Sequence, residues 1–198
     1  MTELRPVDRV EGTAIPLRGN NIDTDRIIPA RFLKALTFDG LGEHVFEDDR
    51  ASMPGHPFAN PAYAGASILL ANENFGSGSS REHAPQALRR WGIEACIGQS
   101  FSEIFLGNAT TIGLPCATAP ARDIEALMTI AERDPRTRVA MSVGALSVTA
   151  AGCTIALDIP PRLRDSLLTG QWDATGLLLG EFEDVRRVAS RLPYVRGF

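Results

Sequence analysis

Residues 66–83 read Ala66-Ser67-Ile68-Leu69-Leu70-Ala71-Asn72-Glu73-Asn74-Phe75-Gly76-Ser77-Gly78-Ser79-Ser80-Arg81-Glu82-His83, and this stretch decides the fold class. Its first six residues form an apolar run with no polar alternation, as a strand does when both of its faces are covered. Paired glycines at 76 and 78 follow, where the backbone must turn sharply. A helical stretch then runs to Trp91 and stops at Gly92; Pro85 places its start near Ala84, because a proline deeper in the helix deletes a hydrogen bond. Strand, glycine turn and helix make the first half of a crossover unit.

Working outward, the same alternation continues. Downstream, residues 93–98 read as a strand, 101–111 as a helix and 114–118 as a strand. Residues 123–133 form an amphipathic helix with Ile124, Leu127, Met128 and Ala131 on one face. Residues 139–143, 146–149 and 154–157 are short strands joined by glycine-containing turns, followed by helices at 162–168 and 181–190. Upstream, residues 13–17 read as a strand and Arg18-Gly19-Asn20-Asn21 as a turn. Residues 38–65 mix Gly and Pro with Asp, Glu, His44 and His56, and read as a long loop with surface histidines. The class is mixed α/β.

Composition excludes several functions. The chain of 198 residues is 44% hydrophobic and 22% charged, which fits one ordinary globular domain. Net charge is −4, and its 19 arginines and single lysine, Lys34, are scattered rather than clustered, so no nucleic-acid partner is expected. No apolar run approaches a membrane span, and the start has no apolar signal segment, so a cytoplasmic protein is expected. Cys96, Cys116 and Cys153 are far apart in sequence and read as free thiols. They are too few and too scattered for an iron–sulfur cluster, and no metal site is expected.

Two segments carry possible chemistry. In residues 76–83 the first helical turn offers free N–H groups and a positive dipole end, and Arg81 offers a fork for a carboxylate. Arg81 stands where a dinucleotide fingerprint needs glycine, and no P-loop lysine is present. Ser77 is one residue from each glycine, which rules out a nucleophile elbow. Ser79-x-x-Glu82 equally spells a capping box, so binding and capping both stand at this point. In Asn21-Ile22-Asp23-Thr24-Asp25 the two carboxylates fit a metal site, an acid–base site or a plain turn and cap. A stand-alone serine hydrolase and a non-catalytic anion-binding module are the readings from other classes.

The residues also carry a resemblance. Asn21-Ile22-Asp23-Thr24-Asp25-Arg26-Ile27-Ile28-Pro29 and Asn74-Phe75-Gly76-Ser77-Gly78-Ser79-Ser80-Arg81-Glu82-His83-Ala84-Pro85 resemble two ordered motifs of one family. Ser100-Phe101-Ser102-Glu103-Ile104-Phe105, with Asn108 and Gly113-Leu114-Pro115, resembles its third block. The family is the small subunit of 3-isopropylmalate dehydratase, in the aconitase swivelling-domain superfamily. The resemblance spans about residues 10–190; Ser77 replaces a common cysteine, and Gly170-Gln171-Trp172-Asp173 departs from the usual ending.

The resemblance implies an aconitase-like swivelling domain of three layers, β/β/α. It implies one domain over 1–198, with a core of about 10–160 and a helical extension of about 161–198. It implies a hydro-lyase of leucine biosynthesis that interconverts 2- and 3-isopropylmalate through isopropylmaleate. No cofactor belongs to this chain. A [4Fe–4S] cluster is expected on a separate large subunit, joined in a heterodimer or heterotetramer around a small dicarboxylate substrate. By motif match Ser79 is the base and Asp25 a catalytic carboxylate, while Ser80 and Arg81 bind substrate. Phe32, Leu33 and Leu36, in the loop after the first motif, suit an isopropyl group. Homoaconitase or a methylmalate/citraconate-type dehydratase is the alternative.

Overall fold

The computed structural model describes residues 5–34, 37–79 and 81–195; Leu36 and Ser80 therefore lie outside the described residues. A mixed sheet of seven strands has the order β4-β3-β2-β1-β5-β6-β7. Its strands are β1 (Arg9–Leu17), β2 (Ile68–Ala71), β3 (Ala95–Gly98), β4 (Cys116–Thr118), β5 (Arg138–Ser142), β6 (Ser147–Ala150) and β7 (Cys153–Ala156). The helices are α1 (Thr24–Ile27), α2 (Glu47–Ser52), α3 (His83–Trp91), α4 (Glu103–Thr110), α5 (Ala121–Arg133), α6 (Pro161–Thr169), α7 (Ala174–Gly180) and α8 (Phe182–Ala189). Among the described residues no helix is long and apolar enough to cross a membrane.

Strand β1 belongs to two kinds of sheet. Its first part, Arg9 to Thr13, pairs antiparallel with β5; its last part, Ala14 to Leu17, pairs parallel with β2. Burial changes at the same point, from alternating exposed and buried residues to a continuously buried run. An antiparallel ladder with one wet face gives the first pattern and a parallel strand covered on both faces gives the second. Gly12 sits at this change of partner, where a Cβ would collide with the Ser67 side chain. The strand expected at 13–17 is thus longer than its apolar residues indicated.

Both faces of the parallel half are packed. One face, carrying Ile15, Leu17, Leu69, Ala71, Cys96 and Cys116, meets Ala84, Ala87 and Leu88 of α3 and Phe105 and Ala109 of α4. The other, carrying Ala14, Ile68, Leu70, Ala95, Ile97 and Ala117, meets Ile124, Leu127, Met128 and Ala131 of α5, the face expected from the 3.6-residue period. Val139, Met141, Val148 and Ala150 of the antiparallel half close this second core.

The segment expected as a loop at 38–65 is corrected. It is built from α2 and three 3-10 turns, Leu41–His44, Pro57–Ala59 and Pro61–Tyr63. Leu41, Val45, Phe46, Phe58 and Tyr63 anchor it in the core beneath α3. His56 is corrected with it: only 5% exposed, it packs beside the touching rings of Phe46 and Phe58 rather than on the surface.

Candidate functional site

The parallel strands β1, β2 and β3 point the same way, so the loops that leave them gather at one edge of the sheet. Ligand sites of open parallel sheets lie outside this carboxyl edge. Here the loops are stitched together by hydrogen bonds. Asn21 N donates to Glu73 O at 2.9 Å, Gly76 N to Ile22 O at 2.8 Å and Thr24 N to Ser77 O at 2.9 Å. Asn74 Nδ2 donates to Asn21 Oδ1 at 2.8 Å, and both asparagines hold the left-handed backbone with φ of 56°. Asparagine tolerates that conformation better than most residues. The third loop joins through Ser100, whose Oγ accepts from Asn74 N at 2.8 Å, and Ser102, whose Oγ donates to Gly76 O at 2.6 Å. The three quoted motifs thus form one constellation.

Within it, Asp23-Thr24-Asp25 divides its labour. Asp23 Oδ1 accepts from Arg26 N at 2.8 Å and so caps α1. Thr24 is buried, and its hydroxyl donates to Ser79 O at 3.3 Å. Asp25 stays half exposed and forms an ion pair with the Arg81 guanidinium, which is itself 20% exposed. The first motif therefore contains a cap, a tether to the Ser79 backbone and an ionic partner for Arg81, three roles that spacing left undivided.

The capping box is not formed. Helix α3 begins at His83 with Glu82 as its cap residue, and no side chain bonds its first N–H groups. The Glu82 carboxylate instead accepts from Gln86 Nε2 at 2.8 Å. Ser79 precedes the helix and is exposed, and Arg81 N donates to its carbonyl at 2.7 Å. Gly76, with φ of 75°, lies against the Phe105 ring, where no side chain fits. The turn is thus held by its backbone and by neighbouring loops, which leaves the Ser79 side chain outside the helix scaffold.

Phe32 and Leu33 lie on a 3-10 turn, Ala30–Lys34, and both are half-buried. The Phe32 ring stacks on His44 with centroids 4.0 Å apart. Phe38 meets His83, at the start of α3, edge-on with centroids 5.0 Å apart. A cleft of about 400 Å³ lined by Arg18, Arg26, His56, Tyr63 and Glu132 contains neither Ser79 nor Arg81. Sequence reasoning passed over Asn21, Asn74, Ser100 and Ser102 as site-building residues, although they stand inside the quoted motifs.

The cysteines do not fit a cluster. Cys96 and Cys116 are register partners on β3 and β4, while Cys153 lies exposed on β7 in the other half of the sheet. Burial, with Cys96 as a neighbour, pushes the Cys116 thiol well above its ordinary range and away from the thiolate that binds metal. Among the described residues no three His, Cys, Asp or Glu side chains are grouped to hold an ion.

Strand-end loops that pool a serine, an arginine and a carboxylate over a half-parallel sheet define a class, and the family model of the aconitase C-terminal domain matches residues 4–119. That match ends just past β4, where the parallel half ends. A 3-isopropylmalate dehydratase small subunit from Synechocystis is 48% identical over 190 residues, covering 96% of this chain and 95% of that protein. One from Thermus thermophilus is 47% identical over 191 residues, covering 94% and 95%. The solved structure of a 3-isopropylmalate dehydratase from Methanocaldococcus jannaschii superposes with a TM-score of 0.65 at 26% identity, covering 92% of this chain and 98% of that one. The chain belongs to the family of 3-isopropylmalate dehydratase small subunits, within the aconitase C-terminal domain class. Its α/β fold is the one expected from the motifs.

Proposed function

We propose that this chain supplies one half of a shared active site in a hydro-lyase of leucine biosynthesis that interconverts 2-isopropylmalate and 3-isopropylmalate through isopropylmaleate. The observation that carries this reading is the exposed Ser79 beside the Arg81–Asp25 pair, on a site edge that the chain leaves open. The other half comes from a large subunit bearing the [4Fe–4S] cluster, in a heterodimer or heterotetramer in the cytoplasm. The chain itself is a single swivelling domain with a helical extension after residue 160.

In this reading Ser79 Oγ takes the carbon-bound proton of the substrate as general base. Its hydroxyl is a weak base in water and needs a dry, positive surrounding, which Arg81 and the large subunit would provide. The Arg81 fork receives a substrate carboxylate, for which Asp25 holds the guanidinium in place. Ser80 also binds substrate, and Phe32, Leu33 and Leu36 recognise the isopropyl group. The names of the relatives do not favour homoaconitase or a methylmalate-type dehydratase.

The test is co-expression with the large subunit and an anaerobic isomerisation assay. Activity on isopropylmalate is expected only when both chains are present. An active isolated chain, or a reconstituted pair that turns over only a tricarboxylate or methyl-substituted malate, overturns the reading.

A further inference from the structure

The acidic triplet Glu47-Asp48-Asp49 opens α2, and its carboxylates take arginines from the segment that carries the first motif. Asp49 Oδ2 accepts from Arg26 Nε at 3.0 Å and lies 2.9 Å from its Nη2. Arg31 engages Asp48 through both ends of its fork, Nη1 to Oδ2 at 2.9 Å and Nη2 to Oδ1 at 2.7 Å. Its Nη2 also donates to Glu47 Oε1 at 2.7 Å. The other Glu47 oxygen pairs with His44 Nδ1, and the His44 ring lies on Phe32. A backbone bond from Phe46 N to Ile27 O, at 2.9 Å, ties the same two segments. Residues 26–32 are therefore gripped at both ends by one short helix and the turn before it.

Single exposed ion pairs contribute little, but a bidentate fork inside a shared network is the exception. The Arg31 guanidinium accordingly holds the Glu47 and Asp48 carboxyls below their usual range. None of these charged side chains touches Ser79, Asp25 or Arg81 in the hydrogen bonds and ion pairs of the site, and the network runs through His44 to the Phe32 ring.

We propose that α2 is a brace whose residues Glu47, Asp48 and Asp49, acting through Arg31 and Arg26, position the Ala30–Lys34 turn and so set which substrate side chain the enzyme accepts. This rests on the reading of Phe32 and Leu33 as substrate-facing. One methylene in an apolar pocket changes kcat/KM by about 10–200-fold, so a small shift of Phe32 is enough to alter selectivity.

The experiment uses the anaerobically reconstituted two-chain enzyme and compares kcat/KM for isopropyl- and methyl-substituted malate. Arg31→Glu is expected to lower that ratio about tenfold, through a higher KM for the isopropyl substrate. Its kcat on the methyl substrate should stay within about threefold of the parent, since no group that acts in the transition state is removed. Asp48→Arg alone should act similarly, and Arg31→Glu with Asp48→Arg should recover most of the ratio. An unchanged ratio in Arg31→Glu, or a loss that follows the melting temperature and is not rescued by the double reversal, overturns the brace. Phe32→Ala and Leu33→Ala separate the two ideas. If neither moves the ratio, the substrate-facing reading fails and the brace with it. If both move it and Arg31→Glu does not, only the brace fails.

Discussion

The two halves of the sheet meet in one strand and do different work. On the parallel side the chain leaves β1 at Leu17 and returns in β2 at Ile68, then leaves at Ala71 and returns at Ala95. On the antiparallel side Ser142 is followed by β6 at Ser147, and Ala150 by β7 at Cys153. Parallel pairing forces every connection to begin at the same edge and travel back over the sheet. Long segments therefore start side by side at that edge, and all three motifs lie in them. Hairpins bring the chain back at once and gather nothing; the antiparallel half contributes Val139, Met141, Val148 and Ala150 to the second core. The parallel half thus carries both the site and much of the core, while the antiparallel half adds core packing alone and can be perturbed separately.

The largest expected effect is on the parallel edge. Ser79→Asn should lower the turnover of the assembled enzyme by about 10²–10⁴-fold, the usual loss for a missing general base. Because Ser79 caps no helix and is exposed, the melting temperature should hardly move. A stable, assembled and active Ser79→Asn enzyme would sink the proton-transfer role.

The converse case is Met141→Ala in β5, a fully buried side chain remote from the motifs. It should cost about 2–5 kcal/mol of unfolding free energy, measured by denaturant titration. Assayed well below its melting transition, the assembled variant should keep the parent KM. A raised KM without loss of stability would show that the two halves are coupled.

A smaller change sharpens the site itself. Arg81→Lys retains the charge but not the fork, and kcat/KM should fall about tenfold or more, while folding is preserved. Unaltered kinetics would remove Arg81 from carboxylate binding.

The smallest effect is a pH dependence in the packed segment behind the site. Burial holds the His56 imidazole below its ordinary value of 6.5, with Asp49 opposing and Arg26 and Arg50 reinforcing the shift. The unfolded chain then takes up this proton near 6.5 while the folded chain does not. Stability from this source is complete above about 6.5 and declines as pH falls through the lower folded value, by at most about 1.4 kcal/mol per pH unit. His56→Phe, which retains a ring against Phe46 and Phe58, should flatten the urea midpoint across that window. Identical slopes for parent and variant would exclude His56 as the source.

Much of this architecture was legible in the residues because its signals are local. The apolar run at 68–71, the 3.6-residue period of Ile124, Leu127, Met128 and Ala131, and the alternation within 138–142 and 147–150 each depend on one element's own burial. Residues 38–65 were not legible. Leu41, the Val45-Phe46 pair, Phe58 and Tyr63 are set apart by stretches rich in polar residues, glycines and prolines, so no period betrays that they share one core. The first part of β1 was hidden likewise, because Arg9 and Glu11 face water and Gly12 replaces a side chain that Ser67 leaves no room for.

By itself the sequence determined the class of the fold, the family, and which three motifs hold the chemistry, since strand, helix and turn patterns and ordered motifs are written along the chain. The tertiary structure alone decided how that chemistry is shared out. Asp23 and Asp25 are chemically identical two residues apart, and only the approach of Arg26 N to one and of Arg81 to the other separates cap from ionic partner. Ser79 and Glu82 have the spacing of a capping box, yet the turn is held by Thr24 and Ser102 from neighbouring loops, which donate to Ser79 O and Gly76 O, and the helix starts after it. Such assignments depend on contacts between residues far apart in sequence, here between the loops that leave adjacent parallel strands, and no local pattern records them.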